Sequence, residues 1–530
     1  MSTEQILLYD TTLRDGTQRE AISLTVDDKV KITRLLDQLG IQYIEGGWPG
    51  SNPKDVDYFR RVRTLDLKQI KVAAFGSTCR AGSSPQEDHS TQALLTAETP
   101  VVAVVGKSWT LHVRDVLRTT LENNLRIVQE TVAYLKARGR ETVYDAEHFF
   151  DGYKTDPDYA LATLEAAVAG GADTLALCDT NGGSMPSEVE RITRIVHERM
   201  PDMRLGIHAH NDGGLATANT LAAVTAGAVH VQGTMNGYGE RCGNANLCTL
   251  VPNLELKLDM RALPPGRLVD LTRAARMVAA IANQPLYRQA PYVGKSAFAH
   301  KGGIHVSAMR RNPRSYQHIN PSDVGNESRV LVSELSGRAN LLSKLEEASI
   351  APESVDDLQG VLQRIKRLEY QGFTFEGADA SLELLLHRAR RGYSPPFEMV
   401  DFMVVVEHRE GRGTFAEATI KVRAGERVMH TAAEGNGPVD ALYAALRKAL
   451  LPLYPHMDAF QLVDYKVWIL DGDRATAATT RVLIDTQNAK DRWSTVGASA
   501  NIIEASWLAL ADAVEYGLTV ANGQPDSGDN

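Results

Sequence analysis

The sequence predicts an α/β protein: a (β/α)8 TIM barrel, then a mainly helical linker region, then a small duplicated ββα (α+β) domain. Three observations carry this. Eight short apolar runs recur within the first 255 residues. Amphipathic stretches fill most of the intervals between them. Near the C-terminus one strand–strand–helix pattern occurs twice, with corresponding positions 62–64 residues apart. Eight strand–helix units in about 250 residues is the size and rhythm of a closed barrel. A doubly wound open sheet would more often carry a Gly-rich phosphate loop after its first strand. Here the first strand is followed by Asp10-Thr-Thr-Leu-Arg-Asp-Gly16, which is not such a loop.

The strand candidates are Ile6–Tyr9, Tyr43–Glu45, Val72–Phe75, Val101–Val105, Thr142–Asp145, Thr174–Cys178, Arg204–His208 and His230–Thr234. The first helix is predicted over Asp27–Leu39, where Ile32, Leu35, Leu36 and Leu39 share one face and Gly40 serves as the stop. Residues 256–395 lose this rhythm and read as helical linker subdomains, with helices over Leu268–Ala282 and Val355–Leu368 around a polar, Gly-rich loop. Pro395-Pro396 marks the next boundary, because it cannot continue a helix. In residues 396–520, Ala418–Val422 and Thr480–Asp485 alternate as strands, and Val428–Thr431 and Arg492–Thr495 follow them. Helices marked by Val439, Leu442, Leu446 and Leu450, and by Ile503, Trp507, Leu510 and Val514, close the two halves. The tail, residues 521–530, is rich in Gly, Pro, Ser and Asp and is expected to be disordered.

The 530-residue chain is 43% apolar and 23% charged, ordinary for a soluble folded chain and unlike disordered, collagen-like or coiled-coil sequences. Its formal charge of −9 argues against a general nucleic-acid binder. No run of about 18 apolar residues predicts a membrane span. The N-terminus shows no basic stretch followed by an apolar one, so no secretory signal is expected. Cys79, Cys178, Cys242 and Cys248 show no C-x-x-C spacing and read as reduced thiols of a cytoplasmic protein.

In such a barrel the active site lies at the carboxyl ends of the strands. Residues at or just beyond those ends include Arg14 and Asp15, Glu45, Lys107, Glu147, Thr180, His208 and His210, and Asn244. His208-Ala-His210 is the sharpest feature. On an extended chain, side chains at i and i+2 point the same way, so both imidazoles can reach one ion. An isolated H-x-H more often holds a structural histidine. Here strands seven, eight and one are neighbours in a closed barrel, which sets Asp15 and Asn244 beside it. Nitrogen and oxygen donors without a thiolate suit a divalent metal, Mg²⁺ or Mn²⁺ foremost, with Zn²⁺ or Co²⁺ also accommodated. An adjacent Arg-Asp pair is ordinarily a surface ion pair. On the rim, Arg14 beside a bound cation can hold a carboxylate or an enolate oxygen. Phe75, Lys107 and Tyr144 are pocket candidates, each also credible as barrel packing.

Asp10–Gln18, His208-Ala-His-Asn-Asp212 and Gly237-Tyr-Gly-Glu-Arg-Cys-Gly-Asn-Ala-Asn-Leu247 together resemble the family of 2-isopropylmalate, homocitrate and citramalate synthases. These are acetyl-CoA-condensing acyltransferases. The resemblance covers essentially the whole chain, since the duplicated domain is similar to the family's regulatory dimer domain. Ile44-Glu-Gly-Gly-Trp-Pro-Gly50 and Asp145-Ala-Glu-His-Phe-Phe-Asp-Gly152 are most similar to the citramalate branch. The resemblance implies metal ligands at Asp15, His208, His210 and Asn244. It implies that Arg14 binds and polarises a 2-oxo acid and that Thr180 binds the substrate carboxylate; Tyr144, from its place at a strand end, is also expected to bind substrate. Glu147 matches the family's essential rim glutamate, His305 its linker histidine and Tyr316 the accompanying tyrosine. Glu147 and His305 are both candidates for the base that deprotonates acetyl-CoA.

The expected acceptor is pyruvate, giving citramalate on the way to isoleucine. 2-Isopropylmalate synthesis from 2-oxoisovalerate is the alternative. A lyase related to 3-hydroxy-3-methylglutaryl-CoA lyase fits less well, because Gly239-Glu-Arg-Cys-Gly-Asn244 is the synthase pattern. The resemblance also implies a homodimer or higher oligomer, and an isoleucine effector on the C-terminal domain. Glu434-Gly-Asn-Gly-Pro438 and Val496-Gly-Ala-Ser-Ala-Asn501 each precede a helix whose first N–H groups can take a carboxylate. Ordinary Gly-rich turns explain the same spacing.

Overall fold

The eight apolar runs become eight parallel strands because strands buried on both faces need continuous apolar sequence. The computed structural model describes residues 5–333, 337–411, 413–471 and 477–521. The tail Asn522–Asn530 lies outside them. The strands are β1 (Leu7–Asp10), β2 (Tyr43–Gly47), β3 (Lys71–Ser77), β4 (Val101–Lys107), β5 (Glu141–Glu147), β6 (Thr174–Asp179), β7 (Arg204–Ala209) and β8 (His230–Gly233). They pair in sequence order and β1 closes on β8. The barrel belongs to the first of two compact units, Met1–Phe298 with Ile319–Glu327; the second comprises Ala299–His318 and Ser328–Asn530.

Strand alternation divides the side chains between two layers. Val102 and Val104 of β4, and Tyr144 and Ala146 of β5, face the helices in the main core with Ile32, Leu35, Leu36, Val128, Val132 and Leu135. Each fully buried side chain of this size contributes roughly 1.5–3 kcal/mol. Val101, Ala103, Val143 and Ala176 face the lumen with Tyr9, Tyr43 and Phe75. At the amino end, the Tyr9, Tyr43 and His230 rings pack with centroids 5.0–5.9 Å apart. Tyr43 donates to Glu141 Oε1 at 2.8 Å, and Lys71 and Arg204 pair with the same carboxylate at 2.6 and 3.4 Å. The lumen is therefore plugged at one end, and the site lies at the other.

The first helix, Val26–Leu39, opens on a Thr25–Asp28 capping box and ends at Gly40, whose φ of 97° is left-handed. Its Lys29 is buried, donates to the Gly46 carbonyl at 2.9 Å and pairs with Asp55 at 2.5 Å. Asp55 Oδ2 in turn accepts from the Trp48 N–H at 2.9 Å. This buried pair fixes the turn after β2 that carries Trp48.

In the second unit, the short strands β9 (Ala299–His300) and β10 (Arg329–Val330) pair in parallel near helix Gly303–Arg311. Helices Arg338–Glu347, Leu358–Tyr370 and Asp379–Arg388 follow. The duplicated region holds β11 (Glu398–Arg409), β12 (Gly413–Ala424) and β13 (Arg427–Gly435), closed by helix Pro438–Leu450. Its repeat holds β14 (Gln461–Ile469), β15 (Thr480–Gln487) and β16 (Arg492–Ser499), closed by helix Ile502–Thr519. Each half thus carries one strand more than the strand–strand–helix pattern predicted. β11 and β14 are edge strands. Both leave Val405, Val406, Trp468 and Ile469 exposed, so they lack the polar-out alternation that marks a half-buried strand. The two helices share one core, in which Leu442 and Leu446 join Val482, Trp507 and Leu510.

All four cysteines are free thiols, Cys242 exposed and the others buried. No helix of the described residues is long and apolar enough to cross a membrane.

Candidate active site

The turn after β1 is built by its own polar groups. Asp10 accepts from the Thr12 N–H at 3.0 Å and hydroxyl at 2.7 Å, and Thr12 Oγ1 accepts from the Met235 N–H at 2.9 Å. The Gly16 N–H returns to the Thr11 carbonyl at 3.0 Å. This ties the β1 turn to the end of β8 and aims Arg14 and Asp15 into the mouth of the barrel. Arg14 Nε donates to Glu45 Oε1 at 2.5 Å, and its guanidinium lies 3.8 Å over the Phe75 ring and 3.6 Å from Asp15. Tyr9 donates to the other Glu45 oxygen at 2.8 Å.

Asp15, His208 and His210 form a buried cluster whose donor atoms lie within 4.8 Å of one another. His208 Nε2 is 3.2 Å from Asp15 Oδ2 and 3.3 Å from His210 Nε2. Asn244 bridges them through Nδ2, 2.9 Å from Asp15 Oδ2 and 3.2 Å from His208 Nε2. Its amide nitrogen, rather than the oxygen, faces the cluster. Gly239 makes room for this amide: at φ +151°, an added Cβ would sit 1.8 Å from Asn244 Oδ1. Gly243, at φ +92°, lies close to the Gly237 carbonyl, with 2.1 Å for an added Cβ.

Electrostatics match the geometry. Burial alone would raise the Asp15 carboxyl, but Arg14 and the two histidines hold it far below the usual carboxylate range. Burial disfavours a charged His208, yet the hydrogen bond and charge of Asp15 raise it above its ordinary value. Burial, then His208, pushes His210 down to about 3, so it is neutral. Asp15 Oδ1, Asn244 Oδ1 and His210 Nδ1 are buried without a hydrogen-bond partner. A carboxylate and two imidazoles that converge in a buried site, with one Asp15 oxygen left unsatisfied, fit a divalent cation with nitrogen and oxygen ligands.

The cluster opens into a cavity of about 460 Å³, lined among others by Arg14, Trp48, Phe75, Lys107, Glu147 and Thr180. Glu147 is ion-paired with Lys107. The Thr180 hydroxyl accepts from the His148 N–H at 2.9 Å. Six of the expected residues, Arg14, Asp15, Glu147, Thr180, His208 and His210, therefore line one cavity, with Asn244 against the cluster. Tyr144 does not line it. The ring is fully buried on the outer face of β5, among the helices, and its hydroxyl lies 3.4 Å from that of Ser108. One step of strand alternation, from Tyr144 to Asp145, separates the two faces. His305 and Tyr316 lie in the second unit, their rings stacked at 4.1 Å.

The HMGL-like family pattern matches residues 5–278, the homocitrate synthase post-HMGL pattern 292–372 and the LeuA allosteric (dimerisation) domain pattern 376–518. An (R)-citramalate synthase of Aquifex aeolicus is 50% identical over 97% of this chain and 98% of its own. One of Geobacter sulfurreducens is 51% identical over 97% of each chain. The chain belongs to the (R)-citramalate synthase family. A 2-isopropylmalate synthase of Yersinia pestis is 29% identical over 96% of this chain and 94% of its own.

Three features of this citramalate synthase family member, two on the cavity wall and one hydrogen-bonded behind it, are not predicted by the sequence. Trp48 meets Phe75 edge to face at 5.4 Å on the wall. Asp145 lines the cavity from β5, where burial, then Glu45, raises its carboxyl to about 7. Gln232 lies inside β8 between Asp145 and His208. The alternation of β5 was a usable signal for Asp145; nothing in the β8 run marked Gln232.

Proposed function

We propose that the chain condenses acetyl-CoA with pyruvate and hydrolyses the thioester, giving citramalate and free CoA, as its family relationship indicates. The observation that carries the site assignment is the buried Asp15–His208–His210 cluster beside Arg14 in one cavity. Asp15, His208 and His210 would hold the divalent metal, Mg²⁺ or Mn²⁺, joined by Asn244 once its amide turns over to present the oxygen in place of Nδ2. When bound, such an ion supplies Lewis acidity toward the oxo and carboxylate oxygens of the acceptor.

The protein's own groups do the rest. Arg14, fixed by Glu45 and Phe75, binds the acceptor and offsets negative charge growing on its oxo oxygen. Thr180 binds the acceptor carboxylate. Glu147 or His305 takes the methyl proton of acetyl-CoA, the carbanion forms the new carbon–carbon bond, and water then cleaves the thioester. The domain division that goes with this is a catalytic barrel in 1–255, helical linker subdomains in 256–395 and a regulatory domain in 396–520. The last is the place of homodimerisation and of isoleucine feedback. The pathway is isoleucine synthesis in the cytoplasm.

CoA release from acetyl-CoA with Mn²⁺ tests the proposal, comparing pyruvate, 2-oxobutyrate, 2-oxoisovalerate and 2-oxoglutarate. Pyruvate is expected to give the highest kcat/KM. A preference for 2-oxoisovalerate would move the chain to 2-isopropylmalate synthesis, and no release with any acceptor would overturn the synthase proposal.

A further inference from the structure

Gln232 is fully buried in β8, and its two ends make different bonds. Its Nε2 donates to Asp145 Oδ1 at 2.8 Å, and its Oε1 faces His208 Nδ1 at 2.8 Å. The first bond crosses the barrel: β5 and β8 are not neighbours in the sheet, so a lumen-facing carboxyl reaches a lumen-facing amide. The second bond runs between paired positions of adjacent strands, because His208 on β7 is in register with Gln232 on β8.

An amide cannot donate and accept at the same atom. With Nε2 committed to Asp145, Oε1 is left as an acceptor, and it demands a proton on His208 Nδ1. A neutral imidazole carrying that proton has its lone pair on Nε2. That atom lies 3.2 Å from Asp15 Oδ2 and 3.3 Å from His210 Nε2. We propose that Asp145 and Gln232 are positioning residues, which act through His208 by fixing its tautomer and ring orientation so that Nε2 is presented as a ligand. The inference rests on the cation-binding reading of the cluster. The reverse arrangement needs a hydroxyl on Asp145 donating to a turned-over Gln232. It would place the amide N–H against His208 Nδ1 and a proton on Nε2, which cannot ligate.

The experiment is Mn²⁺ binding to the full-length protein without substrates, followed by electron paramagnetic resonance of the free ion. Gln232→Met keeps the volume and removes both bonds; it is expected to raise the Mn²⁺ Kd about 10–100-fold. Gln232→Glu restores an acceptor for His208 Nδ1–H and can share one proton with Asp145, so its Kd is expected within about threefold of the parent. A group that merely fills the lumen would give both variants the same thermal shift and leave the Kd unchanged. An unchanged Kd in Gln232→Met, or equal weakening in the two variants, overturns the relay. Should Gln232→Met fail to fold, Asp145→Ala tests the same point. It frees the amide to turn over, and its Kd is expected to rise several-fold; a Kd equal to the parent's overturns the relay. No Mn²⁺ binding by the parent protein would instead overturn the cation site itself, whichever acceptor the enzyme uses.

Discussion

Arg14 is held by Glu45 at its Nε, by the face of Phe75 and by proximity to Asp15. A lysine keeps the charge but loses the planar fork that meets these partners together. Arg14→Lys is therefore expected to lower kcat about 10²–10³-fold while leaving Mn²⁺ affinity within about threefold; a change in Mn²⁺ affinity alone would contradict the role. A second prediction concerns protons. His210 is neutral, pushed down to about 3, whereas His208 is raised above its ordinary value through Asp15. Metal must therefore displace one proton, that of His208. Mn²⁺ affinity is fully present above the raised His208 pKa and falls tenfold per pH unit below it; a slope of two would mean that His210 also releases a proton. The convergence of Asp15, His208, His210 and Asn244 was legible because strand ends and an i, i+2 spacing are properties of the sequence itself. Gln232 was not, because its meaning comes from a partner across the lumen, more than eighty residues away in the chain.

At the scale of elements, each of the eight apolar runs marks a strand, with only Ile6 and Thr234 falling outside, because a parallel strand buried on both faces reads as a nearly continuous apolar run. Seven of the strands extend one or two residues past the runs at their carboxyl ends, β4 into Lys107 and β5 into Glu147, because polar site residues break the apolar pattern there. The edge strands β11 and β14 escaped notice because their exposed apolar side chains gave no alternation to read. The loop after β8 shows how an element serves the site. Gly239 stands at φ +151° against the Asn244 amide, in a backbone region that side chains rarely enter. Gly239→Ala is expected to cost about 1–3 kcal/mol of stability by denaturant unfolding. It should also weaken Mn²⁺ binding at least tenfold as the new methyl displaces Asn244. Unchanged Mn²⁺ affinity with the stability loss intact would show that Asn244 is not a ligand.

At the scale of the molecule, the Asp15–His208–His210 cluster belongs to the first compact unit and the LeuA-type region to the second. The two carboxylate positions suggested by the Gly-rich turns are not equivalent. The Asn501 side chain already accepts from the Ile503 and Glu504 N–H groups at 2.9 and 3.4 Å, so it caps its helix itself. Gly437, at the start of helix Pro438–Leu450, provides no side-chain cap. The prediction is that an amino-acid carboxylate binds in the first half, at the N–H groups after Gly437, rather than at Asn501. The prediction is read by hydrogen exchange on the full-length protein. Saturating isoleucine should slow exchange in 396–520, most in the segment around Asn436–Ala441, while Mn²⁺ should protect the strand ends around Asp15 and His208. A ligand present at 100 times its Kd adds about 2.7 kcal/mol to the states that hold it, so protection of that order is the expected size. Protection by isoleucine confined to the barrel would instead make it a competitor at the acceptor site, and would remove the duplicated domain from feedback altogether.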